Sequence, residues 1–180
     1  MRREILLLSI IVIVVCFFCG CVGQSQSVQQ VSDDDLYMKN LDDFVSSSNQ
    51  PQQTTAQFSQ EQMGAAELKL RSTTFYNRVA PLKVSSKYDF SKNSFLQSLK
   101  ETEAVADFML SHSSEEQMKF ALMPSSFTAA QKQEYIDAAQ HNQNLGLFLI
   151  KTFDFNVCST ENEKYTNVTK ACKAFQSMKK

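Results

Sequence analysis

His112 and His141 are the only histidines in the chain. They fall on different predicted helices and could meet across a bundle as metal or haem ligands. Zinc would want two further ligands, which only Asp, Glu or a reduced cysteine pair could supply. The plainer reading puts His112 near a helix end and leaves His141 as one polar residue in an Ala- and Gln-rich stretch. No metal site and no cofactor are therefore expected. Glu101 and Glu103 offer two carboxylates, but residues two apart on a helix do not face each other. Asp33-Asp34-Asp35 lacks the alternating ligands, central glycine and distal Glu of a calcium loop, and reads as an acidic first helical turn. Asp42 and Asp43 read as a solvated face. The chain has no CxxCH, HExxH, P-loop or GxSxG pattern, and its 4 glycines are too few for a phosphate-cradling loop. No catalytic residue is expected. Asn167-Val168-Thr169 is the one N-x-Ser/Thr sequon, which makes Asn167 a candidate for glycosylation on an exported chain.

Of the 5 cysteines, Cys158 and Cys172 stand alone in the C-terminal third. An even pair in an oxidising compartment suggests a disulfide. One straight helix from 159 to 172 would hold the two roughly 20 Å apart, whereas a bond needs Cα atoms within about 7 Å. A bridge therefore requires Ser159 to about Lys164 to fold back as a loop. The other reading is two free buried thiols acting as small hydrophobes.

The remaining cysteines belong to the N-terminus. Arg2 and Arg3 precede an apolar run from Ile5 to Phe18, which ends at Cys19-Gly20-Cys21. A positive start, a short apolar stretch and small residues before a cut define an export signal. The run is shorter than the roughly 20 residues of a stable span. Phe18-Cys19-Gly20-Cys21 resembles the lipobox of prokaryotic lipoproteins, with Gly20 and Cys21 the best-matching positions. That resemblance implies cleavage after Gly20 and a lipid on Cys21. Residues 1–20 are then signal peptide, Cys21 with Val22 to Val31 a Gln- and Ser-rich tether, and 32–180 a single domain. The expected address is the outer face of the cytoplasmic membrane or another extracytoplasmic membrane surface, with the lipid anchor as the membrane partner.

Removing residues 1–20 takes away Arg2, Arg3 and Glu4. The 18 basic and 19 acidic residues become 16 and 18, a near-neutral chain with no electrostatic case for nucleic acid. Scarce Gly and Pro, with abundant Gln, Ser, Lys, Ala and Leu, favour helices over sheet. Ser32 caps a short helix carrying Leu36, Tyr37, Leu41, Phe44 and Val45, broken over Ser46 to Thr55. A second segment, about Thr55 to Ala80, carries the stripe Phe58, Gln62, Ala65, Leu68, Ser72, Phe75, Val79, and Pro81 ends it. Leu82 to Phe90 reads as a connector whose Val84, Tyr88 and Phe90 pack over the core. Ser91 is expected to cap a helix from about Lys92 to Ser111, with stripe Phe95, Leu96, Leu99, Glu103, Ala106, Met109, Leu110. Ser113 and Glu116 form a capping box for a short helix through Met123, which Pro124-Ser125-Ser126 interrupts. Thr128 opens what reads as the longest segment, to about Phe155, with stripe Gln131, Tyr135, Ala138, His141, Leu145, Phe148, Leu149, Thr152, Phe155. A last helix carries Tyr165, Val168, Cys172 and Phe175. The expected fold is all-α, an antiparallel helical bundle of about four main helices plus short N-terminal and connecting helices.

Phe75-Tyr76-Asn77-Arg78-Val79-Ala80-Pro81-Leu82 resembles a helix end in small helical lipoproteins of archaeal type. The likeness implies fold and location only. Arg78 is expected over Tyr76 or beside an acid. Without a catalytic constellation, the expected role is a non-catalytic interaction or structural module with an unidentified protein partner. A small-ligand binder with a pocket between helices is the alternative. Replacement of Cys21 by Ser is predicted to move the protein from the membrane to the soluble fraction. Mass spectrometry of the wild-type peptide spanning Cys21 should show acyl mass, and an unmodified peptide would overturn the anchor.

Overall fold

The computed structural model describes residues 31–47 and 60–177. The leader 1–20, Cys21, the tether up to Gln30 and the proposed helix start with Phe58 lie outside the described residues. From Ser32 onward the described residues form one compact unit. It contains six helices: α1 Asp33–Ser47, α2 Gln60–Val79, α3 Ser86–Ser111, α4 Ser114–Leu122, α5 Ala129–Thr152 and α6 Thr166–Ser177. Short 3-10 turns occupy Pro124–Ser126 and Thr160–Asn162. Among the described residues there is no strand, and no helix is long and apolar enough to cross a membrane.

Three long helices make the frame. α3 packs along α2 on one side and α5 on the other. The paired residues show both packings to be antiparallel. Lys69 meets Asp107, and Thr73 meets Glu103. Ser91 meets Thr152, Glu101 meets His141, and Phe108 meets Tyr135. In each set one chain rises as the other falls. α1 and α6 pack on each other, and α1 also packs on α2.

Several caps act as the side chains predict. Ser32 Oγ accepts from Asp35 N–H at 3.1 Å. Ser113 with Glu116, and Thr128 with Gln131, each close a full capping box, pairing orphan N–H groups at both helix starts. α2 stops at Val79, just before Ala80-Pro81.

Ser91 is a correction. α3 begins at Ser86, six residues before Lys92, and so becomes longer than α5. Ser85 takes the extended capping conformation, and Ser91 sits a turn and a half inside, fully buried. Its hydroxyl lies 2.6 Å from Tyr37 Oη and 2.6 Å from the Thr152 carbonyl oxygen. A carbonyl only accepts, so the Ser91 proton goes to Thr152 and the Tyr37 hydroxyl donates to Ser91 Oγ. Three helices thus meet on one hydroxyl chain. Burial drives the Tyr37 phenol well above its ordinary pKa, although the Ser91 contact pulls the other way.

Around that chain lies the core, built from Tyr37, Met38, Leu41, Phe75, Val79, Tyr88, Phe95, Leu99, Val157, Val168 and Cys172. The Phe44 ring meets Phe75 and Phe95 edge-on at 5.3 and 5.0 Å, a favoured aromatic geometry. Two expected core aromatics fall outside it. Phe90 is 59% exposed and Phe155 is 87% exposed. Phe90 lies inside α3 on the turn opposite Tyr88, and Phe155 follows the helix end at Thr152, where the stripe's period no longer applies. Val84 does pack against the core. At the far end of α3 and α5 the packing thins to a satellite of rings. Tyr135 stacks on Phe120 at 4.0 Å and meets Phe108 and Phe127 edge-on, while α4 buries no residue.

Ser91→Ala is predicted to cost about 1–3 kcal/mol for each of the two buried groups it leaves unpaired. Tyr37→Phe removes only the terminal donor and should cost about 1 kcal/mol. Urea titrations of the two variants should rank them in that order, and an equal or reversed ranking would contradict the donor direction.

Candidate functional site

The acidic first turn of α1 does more than complement the helix dipole. Asp33 Oδ2 accepts the Lys83 N–H at 2.6 Å, and Asp34 Oδ1 accepts the Ser85 N–H at 2.7 Å. Together they hold the α2–α3 connector extended up to the residue that starts α3. Asp35 Oδ1 accepts from Lys164 Nζ at 2.7 Å and from Tyr165 Oη at 2.9 Å. Three consecutive carboxylates therefore reach two different segments, as their divergent directions on a helix require. The hydrogen bond from Lys164, followed by those from Tyr165 and Ser32, holds the Asp35 carboxyl below its ordinary range. The same contact raises Lys164, and burial first, then the bond to Asp35, raises Tyr165.

Asp42 is a further correction, because it is not a solvated acid. Its Oδ1 accepts the N–H groups of Asn167 and Val168 at 2.7 and 3.0 Å, and its Oδ2 accepts Asn167 Nδ2 at 3.0 Å. An acid from α1 thus caps the N-terminus of α6, where orphan donors and the helix dipole favour negative charge. Asp43 stays on the surface, paired with Lys39 at 2.7 Å. The Asn167 amide nitrogen that a glycan would occupy is the atom donated to Asp42, and Asn167 is half-buried.

Cys158 and Cys172 are joined, with Cα atoms 5.6 Å apart. The required fold-back is the 3-10 turn Thr160–Asn162. Asn162 organises it from within: its Nδ2 donates to the carbonyls of Asn156 and Val157, and its Oδ1 accepts from Tyr88 Oη. Closing a loop of 14 residues limits the unfolded chain by about 3 kcal/mol.

The two histidines do come to one place. Both line a shallow cleft of about 500 Å³ between α3 and α5, with Asp107, Phe108, Glu134 and Asp137. Each is held by a separate carboxylate. His141 Nδ1 donates to Glu101 Oε2 at 2.6 Å. His112 Nε2 lies 3.2 Å from Glu134 Oε2, and the ring stacks on Phe108 at 4.3 Å. Asp107 is paired with Lys69. Glu101 and Glu103 diverge as their spacing implies: one faces α5, the other Thr73 of α2. Among the described residues no group of three His, Cys, Asp or Glu is arranged to hold a metal ion.

A second cleft, about 360 Å³, lies between α1 and α2 and includes Asp43, Glu67, Arg71 and Arg78. Arg71 donates to the Phe44 carbonyl and covers the Phe44 ring at 4.4 Å. Arg78 lies over Phe75 at 5.5 Å rather than over Tyr76; Lys100 of α3 takes the Tyr76 face instead. Both guanidinium groups cover core rings from outside. Comparison with known proteins finds no matching family model, no matching curated protein and no matching solved structure.

A depressed carboxylate contributes stability above its unfolded pKa and loses it as pH falls through the folded value. Asp35 should therefore weaken the fold as pH drops below about 4. Asp35→Asn is predicted to flatten that acid limb of a melting-temperature profile by lowering the neutral plateau while leaving the acid end little changed, and an unchanged slope would rule Asp35 out as its source.

Proposed function

We propose that this protein is a non-catalytic interaction module, displayed outside the cytoplasmic membrane on a lipid carried by Cys21. One observation supports it above the others. α4 buries none of its residues, yet it presents Met118, Leu122 and the following Met123 to solvent at 53 to 74% exposure. Apolar side chains gathered on a helix with no buried face of its own suit a protein partner. The thin packing beneath α4 fits a surface that adjusts to what it meets, and methionine suits such a surface because it is flexible and polarisable.

The small-ligand reading draws on the α3–α5 cleft, whose size is within the range of ligand sites. Its polar groups, however, are engaged with one another: His112 with Glu134, His141 with Glu101, Asp107 with Lys69. A ligand would have to displace those pairs without an enclosed apolar pocket to offset the loss.

The test is affinity capture of the full-length protein from its native membrane, followed by mass spectrometry, for wild type and for the double variant Met118→Lys, Leu122→Lys. A protein that co-purifies with wild type should fall about tenfold or more with the variant, since each charge placed in an apolar contact costs more than the 1.4 kcal/mol that a factor of ten represents. Co-purification of a small molecule, with no partner that responds to α4, would replace this reading by the binder.

A further inference from the structure

The face of α5 that points away from α3 carries an uncharged strip rich in apolar residues. His141, Leu145, Phe148 and Thr152 turn toward the α3 side. Half a turn round, the opposite strip runs Ile136, Ala139, Gln143, Leu147, Ile150, and all five are exposed. Ile136 is 56%, Leu147 55% and Ile150 47% exposed. Gly146 beside it opens to free space, with no atom near a Cβ placed there. Ile136 and Ile150 are about 21 Å apart along the axis, and no charged residue interrupts the strip between them. A solvated helix face ordinarily carries charge at this spacing.

The strip is also symmetric about Gln143. Ile136 and Ile150 stand seven residues to either side, and Ala139 and Leu147 stand four to either side. Laid antiparallel on itself, it pairs Ile136 with Ile150, small Ala139 with large Leu147, and the Gln143 amide with its own equivalent on the two-fold axis. The amide pair is self-complementary, since each carries both donors and an acceptor. A parallel arrangement would set Ala139 against Ala139 and leave a void. The flank agrees in charge. Asp137 and Lys151 lie on the same side of the strip, six residues before Gln143 and eight after it. Antiparallel pairing brings Asp137 of one copy to within about two residues, roughly 3 Å along the axis, of Lys151 of the other. Among the described residues Asp137 accepts from Gln133 Nε2 at 2.8 Å on its own helix, and Lys151 rests over the Phe148 ring.

We infer that this face of α5 binds a second copy of the same chain, α5 to α5, antiparallel about Gln143. The inference rests on the interaction-module reading and names one partner for it. An isologous contact of this kind closes on itself as a two-fold dimer and does not propagate. One helix face covers much less than the roughly 800 Å² per partner of a stable interface, so the dimer is reversible and grows with local concentration. Confinement to a membrane surface would raise that concentration.

The test uses the full-length chain in vesicles with a photo-crosslinking amino acid at Gln143, mixing 15N-labelled and unlabelled protein. Irradiation should give mixed heavy–light peptides joining position 143 to the segment around Gln143 of the other copy. Leu147→Glu should lower that yield about tenfold or more, because it buries a charge without a partner. Ile136→Lys and Ile150→Glu should each lower it alone, whereas a mixture of those two chains should restore it, since only an antiparallel pair brings the new charges together. Unchanged helical circular dichroism will show that these exposed positions leave the fold intact. Crosslinks to a different protein would overturn the self-pairing while leaving the module reading in place. Crosslinks to lipid alone, none at all, or a yield indifferent to Leu147→Glu would overturn it outright. The α4 capture result is independent of all of these outcomes.

Discussion

Tyr37 carries a hydroxyl into a fully buried position, and that hydroxyl must be paired. Its pairing decides how α1 sits on the rest of the molecule. The Ser91 oxygen accepts it, and Ser91 can accept because its own proton goes to the Thr152 carbonyl. That carbonyl is available because α5 ends at Thr152 and leaves its last carbonyls without helical donors. A helix end, a helix middle and a tyrosine from a third helix thus complete one another. Moving α1 by a turn would leave the buried Tyr37 hydroxyl unmatched, a penalty of about 1–3 kcal/mol, so the crossing has little freedom. Tyr88 and Phe95, which flank the Tyr37 ring at 6.1 and 6.5 Å, pack around a position already chosen.

Once α1 is seated, its acids can act at a distance. Asp33 and Asp34 hold the connector before α3, Asp35 holds the loop before α6, and Asp42 caps α6 itself. Each bond is to a backbone N–H or a side chain that would otherwise face solvent, so each is modest alone. Together they fix segments that have little apolar surface of their own. The disulfide closes the same region. Between the long helices the buried surface is rich in small hydroxyls: Ser72, Ser91, Ser94 and Ser98 are all buried. Ser72 and Ser98 return their protons to carbonyls of their own helices, which satisfies them without a partner across the interface.

The molecule consequently has a dense end and a sparse end. Apolar residues, the hydroxyl chain, the acid contacts and the disulfide gather around α1, α6 and the adjoining ends of α2, α3 and α5. Past Ala106 the interior is reduced to a group of rings centred on Tyr135. The exposed apolar residues of α4 lie at the sparse end, and the uncharged strip of α5 runs along the face turned from α3, where the core does not reach. That distribution is the main physical reason to assign them to contacts outside the chain.

Helix identity and number were legible because the 3.6-residue spacing and the cap chemistry are local. Ser113 with Glu116, Thr128 with Gln131, and the stop at Pro81 require only residues within one turn. The cysteine pair was legible only as a condition: helix geometry said that a bond would need a fold-back, which Thr160–Asn162 supplies, but left two free thiols as the other reading. The role of Ser91 was not, because a serine beside a polar turn is an equally good cap until Tyr37 and Thr152, 54 and 61 residues away, claim its hydroxyl. Asp42 looked like a surface acid for the same reason: its partners are 125 and 126 positions distant. Phe155 followed the apolar period but lay beyond the helix that gives the period meaning. Sequence by itself determined the helices, the caps at Ser113 and Thr128, the stop at Pro81 and the fold-back a disulfide would need, because those follow from short-range geometry. Tertiary structure alone decided which polar side chains became internal ties and which apolar ones were left outside, because both depend on neighbours that only folding brings together.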